Sequence, residues 1–240
     1  NMKIALLGYG KMGRAIEKIA LNRGHEIVLK IGSKNSDELT IDNLKKADVA
    51  IDFSLPTSAE DNVKLCFKSG TPVISGTTGW LDEYTEVCKL CEKENGSLIY
   101  ASNFSLGVNL FFELNSFLAN MMSSHNDYDV NMKEIHHIHK LDAPSGTAIS
   151  LAEQILEQNT NKQKWSIEEN SDPNTLNIEA ERTDEVPGTH RIVYESEVDT
   201  ISIEHIAHNR QGFALGAVIA SEWIQNRKGV FSMKDVIFTA

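Results

Sequence analysis

Three histidines and a lysine fall within five positions, His136, His137, His139 and Lys140, in the run Glu134-Ile-His-His-Ile-His-Lys-Leu-Asp-Ala-Pro-Ser-Gly-Thr147. Histidine gives or takes a proton near neutral pH, and a lysine ammonium donates a proton or holds an anion. Pro144 cannot sit inside a helix and Ser145 is a good N-cap, so Asp142 to Thr147 reads as a turn entering a helix. Ile149, Leu151, Ala152, Ile155 and Leu156 then recur at helical spacing. A helix N-terminus presents unpaired N–H groups and a partial positive charge, which suits a carboxylate or phosphate. The stretch predicts an anion site with an acid beside it. No metal is expected. His136 and His137 are adjacent and would point to opposite faces of a strand, and no cysteine or carboxylate at usual ligand spacing accompanies them.

A second chemical stretch opens the chain. The apolar run 2–7 is followed by Gly8-Tyr9-Gly10-Lys11-Met12-Gly13, and then Ala15, Ile16, Ile19 and Ala20 at helical spacing. A G-x-G-x-x-G between strand and helix predicts a dinucleotide site, with the pyrophosphate on the helix N-terminus. The next strand, Glu26 to Ile31, leads into Gly32-Ser33-Lys34-Asn35. An acid at this point would bind the ribose of NADH. Ser33 and Lys34 instead offer a hydroxyl and an ammonium to a 2′-phosphate, so NADPH is expected to serve at least as well as NADH. Further strands at 48–54, 71–75 and 97–100 end in Asp52-Phe-Ser54, Gly76-Thr77-Thr78 and Ala101-Ser102-Asn103-Phe104. Ligands lie at the carboxyl ends of parallel strands, which puts the last two segments beside the cofactor.

The elements that must position these groups follow from periodicity. Gly107 to Met122 reads as a helix, Asp127 to Ile138 as β, and Ser145 to about Gln158 as a helix. Residues 159–177 are polar and Asn-rich and read as loop; Ile178 to Thr183 reads as a short strand, and Arg191 to Ile206 alternates as antiparallel sheet. A helix runs from Gly212 to about Asn226, with a short element at 231–237.

The run Glu134 to Thr147 resembles the signature of the 4-hydroxy-tetrahydrodipicolinate (dihydrodipicolinate) reductase family, which serves the diaminopimelate route to lysine, and the likeness extends from Gly8 to Val236. It implies an α/β fold: a Rossmann-type doubly wound parallel sheet domain plus a smaller α+β domain with a mostly antiparallel sheet. The implied boundaries are 1–106 with 209–240 for the dinucleotide domain, and 107–208 for substrate binding and oligomerisation. The resemblance makes His136 the acid/base and Lys140 a second proton donor. His137, Gly146 and Thr147 would hold a small cyclic dicarboxylate, whether the hydroxylated or the dehydrated ring. Tyr9, Lys11 and Met12 join the three loop glycines, Ser33, Lys34, Gly76 to Thr78 and Ala101 to Phe104 as the NAD(P)H side. His139 is read as supporting, and Arg210 as either a cofactor-side contact or a hinge salt bridge. A homotetramer is implied; a dimer stays open because the sheet region is shorter than in longer members.

Composition narrows the rest. With 240 residues, 41% apolar and 24% charged, the chain is long enough for a proper core. A net charge of −11 argues against nucleic acid as a partner. Cys66, Cys88 and Cys91 make no paired framework and fit a reducing cytoplasm. The first apolar run is too short to span a membrane.

Overall fold

Short apolar strands alternating with amphipathic helices bury both strand faces only as a parallel sheet covered by helices on either side. The computed structural model describes residues 1–169 and 171–239 and has this arrangement in its first part. In chain order the first elements are β1 (Lys3–Leu7), α1 (Lys11–Asn22), β2 (Glu26–Ile31), α2 (Ile41–Leu44), β3 (Val49–Asp52), α3 (Pro56–Ser69), β4 (Val73–Ser75), α4 (Tyr84–Lys93) and β5 (Ser97–Tyr100). Then come α5 (Leu106–Met122), β6 (Asp129–His136), α6 (Gly146–Gln158), β7 (Lys164–Ser166), β8 (Thr175–Arg182), β9 (Thr189–Glu195) and β10 (Thr200–Ile206). The remaining elements are α7 (Gln211–Trp223), β11 (Gly229–Phe231) and α8 (Met233–Phe238).

The chain divides into two compact units, Asn1–Asn109 with Gln211–Ala240, and Leu110–Arg210. In the first, six parallel strands run in the order β11-β5-β4-β3-β1-β2. Alternate strand residues feed two layers. Ile4 and Leu6 pack with α1 and with Ala214, Ala217 and Val218 of α7, while Ala5 and Leu7 pack with Val63 and Phe67 of α3. Strand order reverses between β1 and β3, so the crevice at their carboxyl ends is the topological switch point where such sheets bind ligands.

The second unit is a five-stranded sheet, β10-β9-β6-β8-β7, covered by α5 and α6. It is mixed where a mostly antiparallel sheet was expected. β10–β9 and β9–β6 pair antiparallel, but β6–β8 and β8–β7 pair parallel. α6 carries the chain from β6 over to β7 at the far edge in the same direction, and β8 then runs that way again between them. The segment 159–177, read as loop, contains β7 and the start of β8; a three-residue strand is too short for its alternation to register. Val130, Met132, Glu134 and His136 of β6 are all buried on the helix-covered face. The core row therefore turns polar as the strand ends.

Candidate active site

The cofactor side is built from backbone. Gly8 has φ +97°, and a β-carbon there would lie 2.0 Å from the Phe53 carbonyl oxygen at the end of β3. Gly13 passes Gly8 just as closely, its β-carbon falling 2.4 Å from the Gly8 carbonyl oxygen. Gly10, by contrast, has nothing within 4 Å of its β-carbon position and caps α1 with extended backbone and no side-chain hydrogen bond. The first turn of α1 carries no acidic residue. This combination fits a pyrophosphate: space in front of Gly10 and N–H groups facing it.

Tyr9 does more than fill the loop. Its hydroxyl donates to Glu17, which also pairs with Lys30 Nζ at 2.6 Å, and Arg14 and Lys30 lie 4.9 and 5.1 Å from the Tyr9 ring centroid. The hydrogen bonds from Lys30 and Tyr9 hold the Glu17 carboxyl below its ordinary range. The loop is thereby tied to β2, which leads into the exposed Ser33 and Lys34. Arg14 and Lys30 had no motif to mark them. Asn35 closes that turn, its Oδ1 accepting from the Gly32 N–H at 2.8 Å.

Asp52 organises the neighbouring loops. It is fully buried and accepts hydrogen bonds from Ser54 Oγ (2.7 Å), Asn62 Nδ2 (3.0 Å), Ser75 Oγ (3.0 Å) and Thr77 Oγ1 (2.8 Å). Burial raises its carboxyl above the ordinary value, against the pull of those four donors. Thr77 is thus spent on structure, and its hydroxyl also accepts from the Ser54 N–H at 2.9 Å. Phe104 is buried in the core against Phe53. Asn103 Oδ1 accepts from the Ser105 N–H. Of the segments expected beside the cofactor, Thr78 and Ser102 present exposed side chains, whereas Thr77 and Phe104 have only backbone to offer.

On the second unit, the structure brings His136, Lys140 and the Ser145-Gly146-Thr147 turn onto consecutive segments at one end of the sheet. Ser145 caps α6 as expected, its Oγ accepting from the Ala148 N–H at 3.1 Å. Gly146 is exposed and Thr147 half-buried at that terminus. His136 is buried with its Nδ1 against Glu134 Oε2, while His137 leaves the strand on the other side, half-buried. Lys140 Nζ lies 2.8 Å from Asp142 Oδ1, and that ammonium lowers the Asp142 carboxyl. His139 is exposed beside Glu185 and stands apart from the cluster. No carboxylate was expected at metal-ligand spacing from the histidines; Glu134 nonetheless lies against His136, fully buried, with His190 of β9 as a further neighbour. Glu134 lies two residues before His136 and so shares its face; that spacing was the available signal.

A glycine loop opening α1 at the switch point of a parallel sheet, and a proton-carrying cluster at a helix N-terminus in the other unit, define a pyridine-nucleotide-dependent reductase. Residues 2–104 match the family model described as Dihydrodipicolinate reductase, N-terminus, and residues 107–237 match Dihydrodipicolinate reductase, C-terminus. The chain belongs to the dihydrodipicolinate reductase family. It is 54% identical over 238 residues to the 4-hydroxy-tetrahydrodipicolinate reductase of Christiangramia forsetii, covering 98% of each chain. It is 30% identical to that of Neisseria gonorrhoeae, over 98% of this chain and 97% of the other. Among solved structures, the dipicolinate-bound dihydrodipicolinate reductase from Paenisporosarcina sp. TG-14 superposes with a TM-score of 0.81 at 25% identity, over 96% of this chain and 97% of that one.

Proposed function

We propose that this chain reduces 4-hydroxy-2,3,4,5-tetrahydrodipicolinate to 2,3,4,5-tetrahydrodipicolinate with NAD(P)H, in the diaminopimelate route to lysine. The observation that carries this reading is the placement of His136 and Lys140 beside the N-terminus of α6, in a chain whose other unit has a dinucleotide loop. The net reaction adds a hydride and a proton to the ring system and releases the hydroxyl as water. The reduced nicotinamide supplies the hydride when bound. Residues 1–106 and 209–240 would hold it, through the N–H groups that follow Gly10 and the backbone of Gly76 to Thr78 and Ala101 to Phe104. Residues 107–208 would hold the substrate. The N–H groups of Gly146 and Thr147 with the Thr147 hydroxyl receive one carboxylate, and His137 and Lys140 draw in the other. His136 moves the proton at Nε2, and Lys140 is the second donor.

The test is a 340 nm progress curve with substrate generated in situ by a synthase acting on pyruvate and aspartate semialdehyde, run separately with NADPH and NADH. Synthase-dependent oxidation is expected with both, and NADPH is expected to give a kcat/KM at least equal to that of NADH, because Ser33 and Lys34 stand where an acid would select the free ribose. Binding of NADPH without oxidation would reassign the chain to a nucleotide-sensing role. A clear NADH preference would remove Ser33 and Lys34 from the phosphate site.

We also propose a homo-oligomer, a tetramer in the first instance and a dimer in the second. On α5 the side chains of Leu110, Leu114, Phe117 and Met121 are 49, 48, 64 and 49% exposed and form one stripe opposite the face that packs on the core. A contiguous apolar stripe of this kind marks an association surface. β10 adds an open strand edge with Ile201 and Ile206 exposed. Phe117→Asp is expected to lower the mass measured by light scattering to that of a smaller species, without loss of helix content. An unchanged mass would place the contact elsewhere. Among the described residues no helix is long and apolar enough to cross a membrane. We assign the chain to the cytoplasm, where its free thiols stay reduced.

A further inference from the structure

Sheet register assembles a second layer behind His136. Glu134 sits directly opposite His190 on β9, and His136 directly opposite Arg182 on β8, so the four side chains share one end of the sheet. Glu134 is fully buried. Oε1 accepts from Arg182 Nη2 at 2.8 Å and from the Ser145 N–H at 3.2 Å, while Oε2 meets His136 Nδ1. Arg182 Nη2 also donates to the Asp142 carbonyl at 2.7 Å, which fastens the segment carrying Lys140. Ser145 Oγ, besides capping α6, bonds His190 Nε2 at 3.1 Å.

We propose that Glu134 is a positioning residue that serves two parts of the site at once, fixing the tautomer and aim of His136 and pinning the start of the α6 carboxylate cradle through Ser145. This rests on the reading that His136 moves the proton. A carboxylate at Nδ1 requires the proton on that nitrogen and leaves Nε2 as the exchanging atom. Nε2 faces the turn before β9, where a β-carbon on Gly188 would sit 3.1 Å away; glycine leaves that nitrogen room. Burial alone would raise the Glu134 carboxyl, but hydrogen bonds from His136 and Arg182 win and hold it at about 2. It is therefore an anion throughout the working pH range. His190 is held down to about 4, by burial first and by His136 second, so it is a neutral partner for the Ser145 hydroxyl. Glu134, His136 and His190 do bring three ligand-type atoms within 4.8 Å of one another. The Arg182 guanidinium already holds that carboxylate, and a cation bound there would meet its repulsion.

The test begins with the wild-type protein. Its ¹⁵N side-chain spectrum in the neutral-imidazole range is expected to show His136 with the proton on Nδ1; an Nε2–H tautomer overturns the proposal. In Glu134→Gln the amide oxygen can keep the Arg182 and Ser145 contacts while the amide nitrogen faces Nδ1 as a donor. The proton is then expected to move to Nε2, with kcat lowered about tenfold or more and KM changed less than about threefold. Made on top of His136→Gln, the same change should lower kcat by less than about threefold, because the residue it positions is gone. Equal losses in both backgrounds, or a loss with the tautomer unmoved, would mean that Glu134 acts only as structural support. If His136→Gln alone kept its activity, the proton-transfer reading would fail, while the tautomer measurement would still judge Glu134.

Discussion

His136→Gln is expected to lower kcat by about 10²-fold or more while leaving KM for the substrate near its wild-type value. Glutamine has similar length, and its amide can still donate to Glu134, so the buried carboxylate keeps a partner and the fold has no reason to collapse. What is lost is the imidazole proposed to move the proton. His136 is buried behind the turn at Gly188 and sits on the β-strand, not among the N–H groups proposed to receive the carboxylates. Its loss should therefore touch the chemical step more than binding. Steady-state kinetics with saturating NADPH check this, and near-normal kcat would remove His136 from the acid/base role.

Lys140→Ala is expected to act on both parameters, with kcat lowered about 10²-fold and KM raised about tenfold or more. The Lys140 ammonium is held by Asp142 Oδ1 on an exposed turn. A dicarboxylate that draws the ammonium to itself gains a charge-assisted hydrogen bond of about 1.5–3 kcal/mol, which sets the KM effect. Donation of a proton in the transition state is a separate contribution, and alanine removes both. Lys140→Arg separates them: the charge remains, so KM should recover, but the compact donor does not, so kcat should stay low. Wild-type KM in Lys140→Ala would show that the lysine is not a substrate contact.

Much of this was legible in the sequence because it is local. The glycine loop between an apolar run and a helical repeat announced β1, α1 and the dinucleotide site, and Pro144-Ser145 announced the capped start of α6. The partners of those groups were not legible, because they come from register. Glu134 meets His190 across 56 positions only once β6 and β9 are aligned, and Arg182 reaches Glu134 only because β8 lies beside β6 and parallel to it. Neither alignment leaves a mark in the local pattern. Asp52 was visible as the end of a strand, but not as the acceptor of four hydrogen bonds from residues on three segments. That role needs the sheet order, which short apolar strands do not encode by themselves.

The unit that contains Leu110–Arg210 is continuous in the chain, whereas the other is interrupted by it. Ala214, Ala217 and Val218 of α7 complete the layer over Ile4 and Leu6, Arg23 of the first segment pairs with Glu222, and β11 adds the strand beside β5. A ribosome releases these parts in a fixed order. When residue 210 has left the exit tunnel, the unit with the histidine cluster has every residue of its core, while the dinucleotide sheet still lacks one of its covering helices and an edge strand. The emerging polypeptide therefore carries its β1–β5 portion incomplete through about 100 residues of synthesis, a stretch during which exposed strand faces are open to wrong partners.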